Sequence, residues 1–243
     1  MFTRTESFKE FIRYYPVVST IISIHIVLYL LTVLPFLPNS WVLENFAGVN
    51  LYIVKGEYWR LFTPIIMHSG FAHMLFNSFS LVLFGPALEQ ILGKGKFIFV
   101  YLASGIAANV ATLLLEPLTY IHVGSSGAIF GLFGFFSAVI LFRKDLISKA
   151  NAQIILTITV VGIIMTFLEP NINVTAHLFG LLAGFLIGVA LLPNKRKPEV
   201  FFNLSSSIRW PKGRPSPKQI SPTKLLIWGG IIVLAILGFL FRQ

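Results

Sequence analysis

The chain has 243 residues, of which 56% are hydrophobic and only 12% charged, with a mean hydropathy of +0.81. Soluble domains carry nearer a quarter of their residues as charges, so this composition excludes a soluble globular fold and implies a polytopic membrane protein. Cysteine is absent, which removes disulfides and thiolate chemistry, and the net charge of +10 falls in short runs between apolar segments, a pattern of membrane topology rather than of nucleic-acid binding.

A hydrocarbon core of roughly 30 Å needs about 20 apolar residues of helix. Seven stretches meet that length, near 17–37, 70–92, 97–116, 126–142, 152–168, 174–192 and 224–241. The expected fold is therefore all-α: a six-helix transmembrane core over 17–192 and a seventh, appended helix within 224–243. Residues 1–16, with Arg4, Lys9 and Arg13, read as a short cytoplasmic N-terminus. The first apolar stretch is too long for a cleavable signal and has no small-residue cleavage site behind it. Residues 38–69 form a long loop whose Trp41, Phe46, Tyr52, Tyr58 and Trp59 suit the membrane interface. Lys94 and Lys96 separate the second and third stretches, and Arg143, Lys144 and Lys149 the fourth and fifth. Residues 193–223 are rich in lysine, arginine and proline and read as a cytoplasmic tether beside anionic headgroups. If seven helices alternate, sixteen of the nineteen Lys and Arg side chains share one side, and only Lys55, Arg60 and Arg242 lie opposite. The positive-inside rule then places the N-terminus in the cytoplasm, the C-terminus and the 38–69 loop outside, and the short N-terminus favours a bacterial plasma membrane.

Polar and ionisable side chains at membrane depth are functional-site candidates. In this topology Ser126 opens the fourth stretch and His177 lies one turn into the sixth, both near the outer end. Ser126 stands in a first helical turn, where unpaired backbone N–H groups and the helix dipole favour negative charge. Gly180, Gly184 and Gly188 follow His177 on one helix face, and Gly127, Gly131 and Gly134 lie beside Ser126. Small residues at such spacing let transmembrane backbones approach closely. The two stripes are expected to bring Ser126 within reach of His177, as a nucleophile and base. The blander alternative is that the glycines serve packing alone. His73 and Asn77, at i and i+4 on the second helix, share a face. They either supply donors to a developing oxyanion or satisfy one another. A metal site from His68, His73, His122 and His177 is disfavoured, for it lacks a helical His-x-x-x-His pair and convergent carboxylates.

Gly124-Ser125-Ser126-Gly127 resembles the GxSG motif of rhomboid intramembrane serine proteases, and Ala176-His177-Leu178-Phe179-Gly180 with Gly184 resembles their AHxxGxxxG helix. His73 to Asn77 matches their HxxxN, Trp59-Arg60 their first-loop Trp-Arg pair, and Glu89 and His68 also have family counterparts. The resemblance spans about residues 16–192. It implies Ser126 as nucleophile, His177 as general base, and an oxyanion site from His73, Asn77 and the Ser126 backbone N–H, with no cofactor or metal. The implied substrates are transmembrane proteins in the bilayer, cut near the outer face. Two features depart from the family's well-studied bacterial members: Phe130 stands where a tyrosine often faces the histidine, and the seventh helix is extra to the six-helix form. A non-cutting relative that only binds helices would lack Ser126 or His177, and a transporter would show broken helices or internal symmetry.

Overall fold

The computed structural model describes residues 6–34, 36 and 39–192; the expected linker (193–223) and seventh helix (224–241) lie outside the described residues, as do residues 1–5. In chain order the described residues form α1 (Phe8–Tyr14), α2 (Pro16–Val33), α3 (Asn39–Phe46), β1 (Gly48–Val49), α4 (Asn50–Val54), α5 (Phe71–Leu92) and α6 (Lys94–Leu115). There follow β2 (Ile121–His122), α7 (Ser126–Phe142), α8 (Lys149–Leu168) and α9 (Val174–Leu191). By length and composition α2, α5, α6, α8 and α9 each suffice to cross a membrane. The protein is thus an all-α, multi-pass membrane bundle. At 17 residues α7 is shorter, and every residue from Gly127 to Val139 is buried. A helix covered on all sides by other helices has no lipid-facing length to match.

Helix ends follow local chemistry. Ser7 and Glu10 form a reciprocal capping box that starts α1, a helix absent from the sequence expectation although Ser-x-x-Glu is its signature. Pro16 opens α2, and the next two amides, of Val17 and Val18, donate to the buried Glu89 carboxylate of α5 at 3.1 and 3.0 Å. The positive end of α2 thereby explains a carboxylate in an apolar helix. The third span begins at Lys94 rather than near 97. Gly93, at φ +74°, turns the chain in a single residue, and Lys94 and Lys96 extend outward from the first turn.

The 38–69 loop is ordered by its own contacts. It contains α3, α4 and two 3-10 turns, Tyr58–Leu61 and Thr63–Ile66. Arg60 is buried, donating to the Ala47 carbonyl (2.7 Å) and the Glu57 carboxylate (2.6 Å) with its guanidinium 5.0 Å above the Tyr52 ring. Trp59 donates its indole N–H to the Asn45 carbonyl at 3.1 Å. Antiparallel pairing of Gly48 with His122 and Val49 with Ile121 ties this loop to the α6–α7 connection. The Asn50 amide strengthens the tie by reaching the carbonyls of Thr112, Glu116 and Pro117.

Glycine sets the central packing. A Cβ on Gly180 would strike the Gly127 carbonyl oxygen, and one on Gly184 the Gly131 carbonyl oxygen, while Gly188 lies against Phe135. The pairs share a constant offset of 53 residues, so α7 and α9 run parallel with their backbones in contact. On its other side α7 meets α6, where Gly127 faces Ala108 and Gly131 faces Ser104.

Candidate active site

The offset that pairs Gly127 with Gly180 sets His177, three residues earlier, level with Gly124 and the start of α7. Ser126 is the first residue of α7 and is half-buried. Its helix N-terminus has no side-chain cap, because the Ser125 hydroxyl instead lies 3.3 Å from His68 Nε2. The first-turn amides of α7 therefore face the Ser126 end of the site without a capping acceptor.

Gly124 has φ +135°, a conformation that side chains rarely adopt, and its amide donates to the Pro64 carbonyl at 2.9 Å. A Cβ there would sit 2.7 and 2.8 Å from Cε1 and Nε2 of His73 and 3.8 Å from Ser126 Oγ. His73 Nε2 and the Ser126 hydroxyl thus border one small space. The other nitrogen of His73, Nδ1, lies 3.0 Å from Ser69 Oγ. Asn77, one turn further along α5, is buried, and its Nδ2 has no hydrogen-bond partner among the described residues. The alternative in which His73 and Asn77 satisfy one another thus leaves that amide nitrogen unaccounted for.

His177 is buried on α9. Phe130 of α7 stacks on its ring, with centroids 4.1 Å apart and planes 16° from parallel. The phenyl ring supplies the flat support without a hydroxyl. Nδ1 of His177 lies 2.7 Å from Thr166 Oγ1 on α8. Gly127, Gly180 and Gly184 act through the backbone approach of α7 and α9, while Trp59 and Arg60 brace the 38–69 loop rather than touching this space.

Behind His73 lies a buried polar group in which sequence reasoning leaves His25 and Tyr101 without a role. His25 of α2 meets His68 edge-to-face at 4.5 Å, His68 meets His73 at 5.2 Å, and His25 Nε2 is 3.4 Å from the Tyr101 hydroxyl. Among the described residues no three metal-capable side chains are arranged to hold an ion; of the four histidines considered from sequence, His68 and His73 touch, while His122 packs against Gly48 and His177 against Phe130. Ser69 was within reach of sequence reading, four residues before His73. Thr166 was not: a threonine inside an apolar helix ordinarily bonds its own backbone, which it also does here, to the Gly162 carbonyl at 2.7 Å.

Comparison with known proteins places this geometry in context. The family model of the Rhomboid domain matches residues 55–194. The chain is 49% identical over 199 residues to "Putative rhomboid protease YdcA" of Bacillus subtilis (strain 168), covering 81% of this chain and 99% of the relative. Rhomboid protease GluP of the same organism is 37% identical over 145 residues, 60% of this chain and 28% of the relative. RHOMBOID-like protein 1 of Arabidopsis thaliana is 32% identical over 208 residues, 83% of this chain and 52% of the relative.

Proposed function

The chain belongs to the rhomboid family, and from that premise we propose that it is an intramembrane serine endopeptidase acting on transmembrane proteins. The observation that carries this reading is the register of α7 against α9. It sets a half-buried serine at an uncapped helix N-terminus level with a buried histidine whose Nδ1 is already engaged.

In the proposed reaction Ser126 Oγ attacks the scissile carbonyl carbon while His177 Nε2 takes the hydroxyl proton. The oxyanion takes hydrogen bonds from Asn77 Nδ2, from His73 Nε2–H and from the Ser126 backbone N–H. His73 Nε2 carries a proton when its Nδ1 accepts from the Ser69 hydroxyl. The C–N bond then breaks, His177 returns the proton to the leaving amine, and an acyl ester remains on Ser126. Water attacks that ester with His177 again as base, and the ester bond breaks to release the carboxylic acid and restore the serine. A dyad is sufficient where the imidazole is held in the right tautomer and orientation, which the Phe130 stack and the Thr166 contact favour.

The distribution of positive charge supports an extracytoplasmic position for the Ser126 end, in a plasma membrane with the N-terminus in the cytoplasm; reporters fused in the turn before α5 and in the turn before α8 read this orientation directly. Ser126→Ala and His177→Ala are each expected to abolish cleavage of a single-pass substrate in liposomes, and a fluorophosphonate probe to label the native protein but not Ser126→Ala. Wild-type cleavage by either variant removes the dyad.

A further inference from the structure

Thr166 Oγ1 lies between two partners, His177 Nδ1 and the Gly162 carbonyl oxygen, each at 2.7 Å. Thr166 is 1% exposed and His177 7%, so water does not compete freely for either contact. A hydroxyl has one proton to give. When it goes to the Gly162 carbonyl, the threonine oxygen turns lone pairs toward the imidazole, and only an Nδ1–H completes the second bond. The neutral ring then keeps a free lone pair on Nε2. In the reverse arrangement the hydroxyl donates to Nδ1, the ring proton sits on Nε2, and that nitrogen has nothing with which to accept a serine proton. The Gly162 carbonyl therefore biases the tautomer through Thr166.

The same turn of α8 holds the ring in a second way. A Cβ on Gly162 would lie 3.2 Å from Phe130 Cζ, so Gly162 closes over the tip of the ring that stacks on His177. Gly162 and Thr166 are four residues apart on one face of α8. One helical turn thus controls an edge of the imidazole and the support beneath its face.

We propose that Thr166 is the third member of the Ser126–His177 site, a positioning residue that accepts the Nδ1–H of His177 and keeps Nε2 as the base. This rests on the reading of His177 as general base. Because the acceptor is neutral, it orients the ring before and after proton transfer without supplying charge.

The test uses the purified full-length protein with a single-pass substrate. Thr166→Val preserves shape but removes the acceptor, and it is expected to lower kcat about 10- to 100-fold with little change in KM. Thr166→Ser, which restores the hydroxyl, is expected to recover activity to within about threefold of wild type. Imidazole 15N shifts, assigned to His177 by their loss in His177→Ala, should report Nδ1–H in the native protein and a gain of Nε2–H in Thr166→Val. A native His177 protonated at Nε2 overturns the proposal even where Thr166→Val does not fold. So does a folded Thr166→Val variant with wild-type kcat. If Ser126→Ala or His177→Ala retains cleavage, the Ser126–His177 dyad fails instead, and the tautomer measurement still reports on Thr166 by itself.

Discussion

Asn77 offers a buried amide nitrogen that no group among the described residues accepts from. A donor left unmet costs about 1–3 kcal/mol in the resting protein. An enzyme gains from such a donor when the acceptor arises only in the transition state, since only differential binding speeds the chemical step. Asn77→Ala is therefore expected to lower kcat by about 10²- to 10³-fold while leaving thermal stability in detergent unchanged or raised. Steady-state kinetics alongside a melting curve checks both halves, and a near-wild-type kcat would remove Asn77 from the oxyanion site. At this scale much of the proposed site was legible. Ser126, His177, His73 and Asn77 are reactive or donor groups at helical spacing in apolar segments, where each needs a reason. Thr166, His25 and Tyr101 were not legible, because a hydroxyl or imidazole that partners a residue far along the chain leaves no local pattern. Glu89 lay between: its presence could be read, but its partners, the first amides of α2, are 71 and 72 residues away.

Helices α7 and α9 meet through backbone rather than side chains, and this contact sets the level at which Ser126 and His177 stand along the two parallel helices. The glycine stripes announced close approach, but the offset of 53 residues could be read only from the packed helices. A side chain at Gly184 must push the Gly131 carbonyl away, separating the helices at the level below the site. Gly184→Ala is expected to destabilise by at least the roughly 1–3 kcal/mol of an overpacked core, and to reduce cleavage because Ser126 and His177 part together. Gly95, in the first turn of α6, has open space around its Cβ position. Gly95→Ala should be neutral or stabilising by up to about 1 kcal/mol, since alanine loses less backbone entropy in a helix. Melting temperatures of the pair decide the matter; equal shifts would mean that helix propensity, not the α7–α9 contact, sets the cost. The same scale shows why the 38–69 loop resisted sequence reading. Its short helices are held by Arg60, Trp59 and Asn50 reaching backbone carbonyls, contacts that leave no hydrophobic period to detect.

Across the whole molecule, the site depends on a connection outside the spanning helices. β1 and β2 join the 38–69 loop to the segment that leads, two residues on, into Gly124. His122 is the pivot of that joint. It is buried, both ring nitrogens lack hydrogen-bond partners among the described residues, and Gly48 leaves no room for a Cβ beside its ring. Burial pushes its pKa down from 6.5 to about 4, against the opposing pull of the Glu116 carboxylate. Between those values the unfolded chain binds the His122 proton and the folded chain does not, so folding releases it and stability rises with pH. The contribution is fully present above about pH 6.5 and is lost as pH falls toward about 4, a span worth roughly 3 kcal/mol. The melting temperature of the protein in detergent is accordingly expected to fall over that window, and cleavage with it as the Gly124 turn loosens. His122→Leu, similar in size and unable to titrate, should show a shallower slope than wild type over the same pH range, whatever its absolute stability. Other carboxylates and histidines titrate nearby in pH, so the difference between the two slopes is the quantity that carries the assignment. Identical slopes would mean that the β1–β2 joint tolerates a charged imidazole, and that the acid sensitivity of the site originates inside the bundle instead.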